Sequence, residues 1–153
     1  MNDTITIQPM TMADYEEAMA LWRRSEGIGL RPADAAEHLA RFLDRNPGLS
    51  FVARSETGLV GTALCGHDGR RGYLHHLAVD RAWRGQGIGR ALVEEILAAL
   101  KAIGINKCHL FVMKENQPAI DFWQHIGWEL RKDIVVMSHF TGALDALTQE
   151  NRS

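Results

Sequence analysis

Hydrophobic and polar residues in the first half of the chain predict a strand, two helices and a hairpin. Alternation of polar and apolar side chains is typical of a half-buried strand, whereas short polar residues before apolar runs of helical period mark helix starts. In chain order we expect a strand over Thr4–Gln8, a helix from the Thr11/Asp14 capping box through about Arg24, a connection over Ser25–Arg31, a second helix from Pro32 to the stop at Asn46-Pro47-Gly48, and strands Leu49–Arg54 and Leu59–Cys65 closed around Glu56-Thr57-Gly58.

The second half repeats a strand-then-helix order. An apolar and aromatic strand over Tyr73–Val79 ends at the turn-forming Asp80, and a helix begins near Ile88. That helix keeps its apolar side chains on one face, which predicts packing on a sheet. The next elements are a strand over Cys108–Met113, a helix capped by Asn116 and closed by Gly127, and two short strands over Trp128–Arg131 and Ile134–Phe140, before a weakly patterned tail from Thr141 to Ser153.

The turn between the strand at Tyr73–Val79 and the following helix has the character of an anion site. Gly85, Gly87 and Gly89 stand at every second position, where the missing Cβ lets the backbone turn tightly and approach a ligand closely. The first N–H groups of the next helix have no partner within the helix and carry the positive end of its dipole, so they attract phosphate. Arg84 and Arg90 add positive charge. The turn therefore predicts a pyrophosphate site.

Two common phosphate motifs do not fit this turn. The nucleotide P-loop requires a Gly-Lys-Ser/Thr ending, which the turn lacks. A dinucleotide fingerprint would place glycine where Arg90 stands, and it would place an acidic residue about 20 positions further on, where Lys107–Val112 has none. The turn is thus predicted to bind a different pyrophosphate compound, and the alternative is a strand–helix junction whose glycines only turn the chain.

A second motif follows the strand at Cys108–Met113, in the segment Asn116-Gln117-Pro118-Ala119-Ile120-Asp121-Phe122-Trp123-Gln124-His125-Ile126-Gly127-Trp128. Together the two motifs resemble the GNAT superfamily of acetyl-CoA dependent N-acetyltransferases. Arg84-x-x-Gly87-x-Gly89 is similar to the pyrophosphate loop of that family, and Asn116-x-x-Ala119 with Phe122-Trp123-x-x-x-Gly127-Trp128 is similar to its next block. The resemblance is specific from about Tyr73 to Trp128.

This resemblance implies a fold and a cofactor site. The implied fold is mixed α/β: a mostly antiparallel, twisted sheet of about seven strands, flanked by about four helices, with two strands that splay apart at the acetyl-CoA cleft. Acetyl-CoA would be the cosubstrate, and no metal is implied. The implied cofactor residues are Leu77, Ala78 and Val79 for the pantetheine arm, Arg84, Gly85, Gln86, Gly87, Ile88, Gly89 and Arg90 for the pyrophosphate, Asn116 for pantetheine or nearby atoms, and Trp123 beside the thioester.

Candidate acid–base residues also follow from the resemblance. His75 matches the histidine that arylalkylamine-type members use as a base, and an imidazole with a pKa near 6.5 suits that role. Strand alternation predicts that His76 points to the opposite face, and Glu26 on the connection is the rival base. Many members carry a tyrosine acid where this chain has Trp123, whose indole N–H cannot act as an acid at neutral pH. Tyr73 is the candidate replacement, beside Tyr15 and Ser138.

Composition sets the class of protein. The 153 residues are 46% hydrophobic and 24% charged, which predicts one globular domain over residues 1–153. A formal net charge of −2 gives no general attraction to nucleic acid. Without a long apolar run or a signal peptide pattern, we expect a cytoplasmic protein that does not enter membranes. Cys65 and Cys108 lie in apolar strands and match neither metal nor redox spacing, so the sequence predicts free thiols.

The acceptor side carries mixed chemistry. Substrate choice is expected in the Ser25–Arg31 connection, the second helix and the final hairpin, and their residues allow a cationic amine, an amino acid or a peptide terminus. Oligomeric state does not follow from the sequence, and a dimer stays open. Two alternatives to an N-acetyltransferase are a non-catalytic acyl-CoA sensor and a partner-binding module. The residues on this side are Trp22, Glu26, Arg31, Glu37 and His38.

Overall fold

The computed structural model describes residues 4–142, which form a mixed sheet with helices on both faces. Strand and helix positions follow the predicted order as far as the fourth helix. The strands are β1 (Thr6–Pro9), β2 (Phe51–Ser55), β3 (Gly58–His67), β4 (Gly72–Val79) and β5 (Cys108–Leu110), and the helices are α1 (Tyr15–Arg23), α2 (Ala36–Arg45), α3 (Ile88–Ala102) and α4 (Gln117–His125). Short 3-10 turns at Met12–Asp14, Pro32–Asp34 and Arg81–Trp83 lead into helices or loops.

The sheet has five strands in the order β1-β2-β3-β4-β5. Neighbouring strands are antiparallel except β4 and β5, which are parallel because α3 carries the chain back across the sheet. One apolar cluster packs α3 and Trp123 of α4 on one face of the sheet, and a second packs α1 and α2 on the other face. The two clusters hold the carboxyl end of β4 between them.

A β-bulge interrupts β4 at the two histidines. Leu64 of β3 pairs with His75, whereas Thr62 pairs with Ala78, so β4 has one residue more than β3 across this stretch. His76 adopts φ = 50°, the one positive φ of a non-glycine residue among those described. The extra residue breaks the alternation of side chains, and both His75 and His76 face the α1/α2 side. The prediction that His76 faces away was wrong.

The last two predicted strands are absent from the described residues. Trp128–Arg131 and Ile134–Phe140 form no strand, because strands need a hydrogen-bonding neighbour and the β5 ladder ends at Leu110. β5 is shorter than the predicted Cys108–Met113 for the same reason. Most of the predicted tail, from residue 143 onward, lies outside the described residues. Across residues 4–142, no helix has the length and apolar character needed to span a membrane.

Candidate active site

The bulge lies where β4 and β5 separate. Parallel pairing runs from Gly72 with Cys108 to Leu74 with Leu110 and stops one residue before His75. Beyond that point Ala78 and Val79 still pair with β3, but no described strand pairs with their other edge. No neighbouring strand therefore takes up the backbone groups of β4 on the β5 side beyond Leu74, although the Val79 carbonyl accepts the Nε–H of Arg84. This splay lies beside Leu77, Ala78 and Val79, where the resemblance to the GNAT superfamily implies an acetyl-CoA cleft.

The glycine turn after β4 has a left-handed backbone at two of its three glycines. Gly85 and Gly87 have φ of 78° and 83°, and Gly87 is the N-cap residue of α3. A Cβ at either position would meet nothing within 4 Å, so this surface is open above the helix N-terminus. Gly89 lies in the first turn of α3, where a Cβ would be in ordinary contact, 3.5 Å from Phe122. The N–H groups of Ile88 and Gly89 therefore face an open, electropositive end of the helix.

The arginines of this turn are paired with nearby oxygens. Arg84 donates from Nε to the Val79 carbonyl at 3.0 Å, and its other nitrogen lies 3.3 Å from Glu26. Glu26 also bonds Arg81, and these arginines hold the pKa of the exposed Glu26 carboxyl below its usual value. Arg90 bonds Glu94 one helical turn away, at 3.2 Å. Glu26 is thus a partner of Arg81 and Arg84 rather than a group held ready to accept a proton.

Asn116 stands at the start of α4 as its N-cap residue. Its Oδ1 accepts the N–H of Ala119 at 3.2 Å, so it caps the helix as predicted. A Cβ added at Gly27 would lie 2.9 Å from Nδ2 of Asn116. The loop between α1 and α2 therefore lies close to two other segments: Glu26 bonds Arg81 and Arg84 after β4, and Gly27 lies near the Asn116 side chain at the start of α4.

Trp123 and Tyr73 occupy different surroundings. Trp123 is buried in the α3-side core, with its ring 5.2 Å from Phe122 and 4.9 Å from Trp128 by centroid. Tyr73 packs its ring against those of His109 and Phe111, before the bulge, and does not line the cavity described next.

A cavity of about 760 Å³ opens on the α1/α2 side of the bulge. His75 and His76 line it from β4, Asp34 lines it from the turn before α2, and one side of α2 forms its wall. Ligand pockets usually fall between about 300 and 1,000 Å³. The cavity has room for a small substrate, and it reaches the sheet where β4 separates from β5.

His75 is half-buried in this cavity beside Phe42, with ring centroids 6.2 Å apart. Burial lowers the pKa of His75 below 6.5, the nearby His76 lowers it further, and Asp34 opposes both effects. A lowered pKa keeps the imidazole neutral at pH 7. His75 is therefore able to accept a proton.

His76 is fixed from three directions. Its Nε2 lies 2.8 Å from Oδ1 of Asp34, and its ring packs edge-on against Trp22 at 4.8 Å. Its carbonyl accepts the Thr62 hydroxyl at 2.8 Å, and that hydroxyl in turn accepts the Trp22 indole N–H at 2.8 Å. Burial favours a higher pKa for Asp34, but bonds from His76 and the Arg31 N–H outweigh it and hold that pKa below its usual value. These contacts hold the bulge in its left-handed conformation.

Sequence reasoning missed the acidic partner of the histidines. Asp34 has the sequence signal of a helix start after Pro32, and it does bond the Arg31 N–H as a cap. Its second oxygen, however, reaches a histidine 42 residues away, which local spacing cannot indicate. Among residues 4–142, no three His, Cys, Asp or Glu side chains come together as a metal site.

Two kinds of sequence comparison relate this chain to acetyltransferases: a match to a family model and matches to individual proteins. The family model described as "Acetyltransferase (GNAT) family" matches residues 15–128. An acetyltransferase of Sodalis glossinidius is 32% identical over 125 residues, which is 81% of this chain and 87% of that protein. An acetyltransferase of Pectobacterium atrosepticum is 34% identical over 117 residues, covering 76% and 82% of the two chains.

Solved structures share the fold at low identity. The PaiA N-acetyltransferase of Thermoplasma acidophilum, solved with coenzyme A, has a TM-score of 0.75 at 19% identity and covers 84% of this chain and 91% of its own. An aminoglycoside N-acetyltransferase, AAC(6')-Iy in complex with CoA, has a TM-score of 0.73 at 17% identity, covering 91% and 97%. The expected mixed α/β fold is confirmed, with five strands described rather than about seven.

Proposed function

The chain belongs to the acetyltransferase (GNAT) family, and from that membership we propose that it transfers the acetyl group of acetyl-CoA to a primary amine by direct attack in a ternary complex. The observation that carries the proposal is the position of the bulge. It sets two histidines in a cavity on one side of β4, at the point where β4 parts from β5 beside the glycine turn.

The cofactor side is assigned to the splay and the glycine turn. The pyrophosphate would accept hydrogen bonds from the backbone N–H groups between Gln86 and Arg90, at the start of α3. Arg84 and Arg90 would supply positive charge beside it. The pantetheine arm would bond the unpaired edge of Leu77, Ala78 and Val79. Asn116 would contribute its side-chain amide from α4. The open space at Gly85 and Gly87 and the unpaired β4 edge support this assignment.

His75 is assigned as the general base. Its neutral imidazole takes a proton from the acceptor ammonium, directly or through one water, and the freed amine nitrogen attacks the thioester carbonyl carbon. The C–S bond then breaks, the electron pair leaves on sulfur, and the nitrogen gives up its remaining extra proton to the thiolate or to water, which leaves a neutral amide and CoA. His76 is a positioning residue, because its bonds to Asp34 and Thr62 fix the bulge that aims His75 into the cavity.

No tyrosine acid is assigned to the leaving thiolate. Trp123 stands at the position where many family members carry that tyrosine, and it is part of the core. A thiol with a pKa of about 8.5 leaves as a thiolate without a strong acid, so the reaction does not require one.

The first test is ligand-dependent thermal unfolding. Acetyl-CoA and free CoA, each at about 100 times the dissociation constant, should stabilise the protein by about 2.7 kcal/mol, while ATP and NAD should not. An amine panel would then be assayed for CoA release, with His75→Ala as the comparison. Binding without transfer to any amine would favour the acyl-CoA sensor. No stabilisation by any CoA compound would overturn the cofactor assignment.

A further inference from the structure

The α2 wall of the cavity carries a row of basic side chains. His38, Arg41 and Arg45 stand at successive turns of α2 and line the cavity together with Arg31 from the turn before it. Residues three or four positions apart share one face of a helix, so this row is continuous. Arg41 donates to Nδ1 of His38 at 2.9 Å, and this hydrogen bond holds the two side chains next to each other.

These arginines have no acidic partner. Within residues 4–142, no carboxylate forms an ion pair with the guanidinium group of Arg31, Arg41 or Arg45, whereas Arg24, Arg54 and Arg84 all form ion pairs. The one carboxylate that lines the cavity, Asp34, is engaged by His76. Because the whole chain has a formal net charge of −2, a basic cavity is not a consequence of overall composition.

The row is unfavourable for the helix itself. Arg41 and Arg45 are four positions apart, and like charges at that spacing destabilise a helix. The α2 carboxylates Glu37 and Asp44 do not line the cavity. Planar guanidinium groups bind carboxylate and phosphate through two parallel hydrogen bonds, so an anion in the cavity would compensate this repulsion.

Apolar side chains complete the lining. Leu39 and Phe42 of α2, Leu64 of β3 and Pro32 give the cavity a hydrophobic part beside the arginines and the histidines. A ligand that fits this lining has an anionic group for the arginines, an apolar body, and an amine for the histidines.

We infer that the acceptor is a primary amine that carries a carboxylate or a phosphate on an apolar body, bound with its anion at Arg41 and Arg45 and its amine at His75. This inference rests on the proposed function and narrows its acceptor to one chemical class. A polycationic amine is disfavoured, because it would meet three arginines with no free carboxylate on the cavity wall.

The test uses one body with different end groups. L-leucine, its phosphonic acid analogue, L-leucinamide and isopentylamine share an isobutyl group, and spermidine serves as the polycation; a phenylalanine series repeats the comparison with a larger body. Acceptor turnover is measured by CoA release, and acceptor binding by thermal stabilisation in the presence of CoA. Comparison of L-leucine with its phosphonic acid analogue shows whether the site prefers a carboxylate or a phosphate-type group.

Two variants and a matched control locate the effect. R41Q and R45Q should lower kcat/KM for the preferred acid about tenfold more than for leucinamide, mainly through KM, since a charge-assisted bond is lost. R23Q removes an arginine from the last turn of α1, as R45Q does from α2, but outside the cavity. It should leave the ratio between acid and amide unchanged.

The outcomes separate this inference from the proposed function. Transfer that favours leucinamide, isopentylamine or spermidine over both acids, or an acid preference that survives in R41Q and R45Q, overturns the inference and leaves acetyl transfer standing. Failure of both acids in each series to stabilise the protein or to accept acetyl groups also overturns it. A third result is that an acid stabilises the protein, that R41Q abolishes this stabilisation, and that acetyl-CoA does not bind. This result supports the anion site and rejects the proposed function.

Discussion

Nε2 of His76 lies 2.8 Å from Oδ1 of Asp34, and this contact joins the bulge of β4 to the turn before α2. Both groups are largely buried, with 18% and 11% of their side chains exposed. The pair therefore joins β4, which carries both histidines, to the turn that leads into α2, the wall of the cavity. Because His76 has a left-handed backbone that costs energy in a non-glycine residue, its partners must offset that cost.

Replacing Asp34 tests this positioning role. Asp34→Ala removes both the charge and the acceptor and should cost about 1–3 kcal/mol of unfolding free energy, with a marked loss of kcat. Asp34→Asn keeps an acceptor oxygen for His76 and should fall between Asp34→Ala and the unaltered protein in both measurements. Chemical denaturation and steady-state kinetics provide the comparison. Equal kinetics for Asp34→Ala and the unaltered protein would reject the positioning role.

Removing the imidazole of His75 tests the base. His75→Ala should lower kcat/KM by about 10²-fold or more. In the unaltered protein the rate should fall on the acid side with an apparent pKa below 6.5, because the burial that lowers the pKa of His75 delays its protonation. The variant should lose this acid limb. His125→Gln, at the exposed end of α4, serves as the control and should keep the full profile.

The same shift predicts how stability depends on pH. Since the folded protein holds the pKa of His75 below its unfolded value, the unfolded chain binds more protons as pH falls. The contribution of His75 to unfolding free energy should be complete above about pH 6.5 and should be lost as pH falls through the folded pKa. Denaturation curves between pH 5 and 8, for the unaltered protein and His75→Gln, would show it as a slope that the variant lacks. A steeper slope in the variant would contradict the direction of the shift.

Thr62 links Trp22 to the bulge and is fully buried. Thr62→Val leaves the Trp22 N–H and the His76 carbonyl without this partner, so it should cost about 2 kcal/mol and lower Tm by roughly 4–8 °C. Thr62→Ser keeps the hydroxyl and should recover most of the loss. If valine and serine were equally stable, the hydroxyl bridge would have no role in holding the bulge.

Glu26 pairs with Arg84, one of the two arginines that the proposed function gives to the pyrophosphate, and with Arg81. Glu26→Gln removes a competing negative charge and should lower the Kd for CoA roughly two- to fivefold, a modest effect because the pair is exposed. Glu16→Gln, on the outside of α1, is the control for lost charge alone. Calorimetric titration with CoA measures both. Weaker binding in Glu26→Gln would instead make the Glu26 loop part of the cofactor site.

Gly87 and Gly104 form a matched pair at the two ends of α3. Their φ values are 83° and 84°, and a Cβ at either would meet nothing within 4 Å. Alanine at each should cost roughly 1–2 kcal/mol from backbone strain alone. Only Gly87→Ala should also weaken CoA binding, because its Cβ would point into the proposed pyrophosphate space. Equal CoA affinity in both variants would place the pyrophosphate elsewhere.

The sequence predicted the order of elements through α4 because capping, helical period and turn residues are local signals. Thr11 and Asp14 form the expected capping box, and Asn116 caps α4 as expected. The splay of β4 from β5, by contrast, entered through the family resemblance, since no local pattern marks it.

The errors came from features that depend on partners. A period of two cannot reveal the extra residue in β4, so His76 was assigned to the wrong face. Ile134–Phe140 has strong strand preference, but preference forms no strand without an edge to pair with. The basic row on α2 was not predicted: the acceptor-side residues named from the sequence include Arg31 and His38 but not Arg41 or Arg45.

The short ladder between β4 and β5 also makes β5 locally less stable than the central strands. Three residue pairs from Gly72 to Leu74 join β5 to the sheet. An element held by so few backbone bonds opens locally at a lower free energy than the central strands, and its amide protons exchange sooner. A ligand that bonds both β4 and α4 would close that opening, so the amides of β5 and α4 would exchange more slowly when it binds, far beyond the atoms it touches.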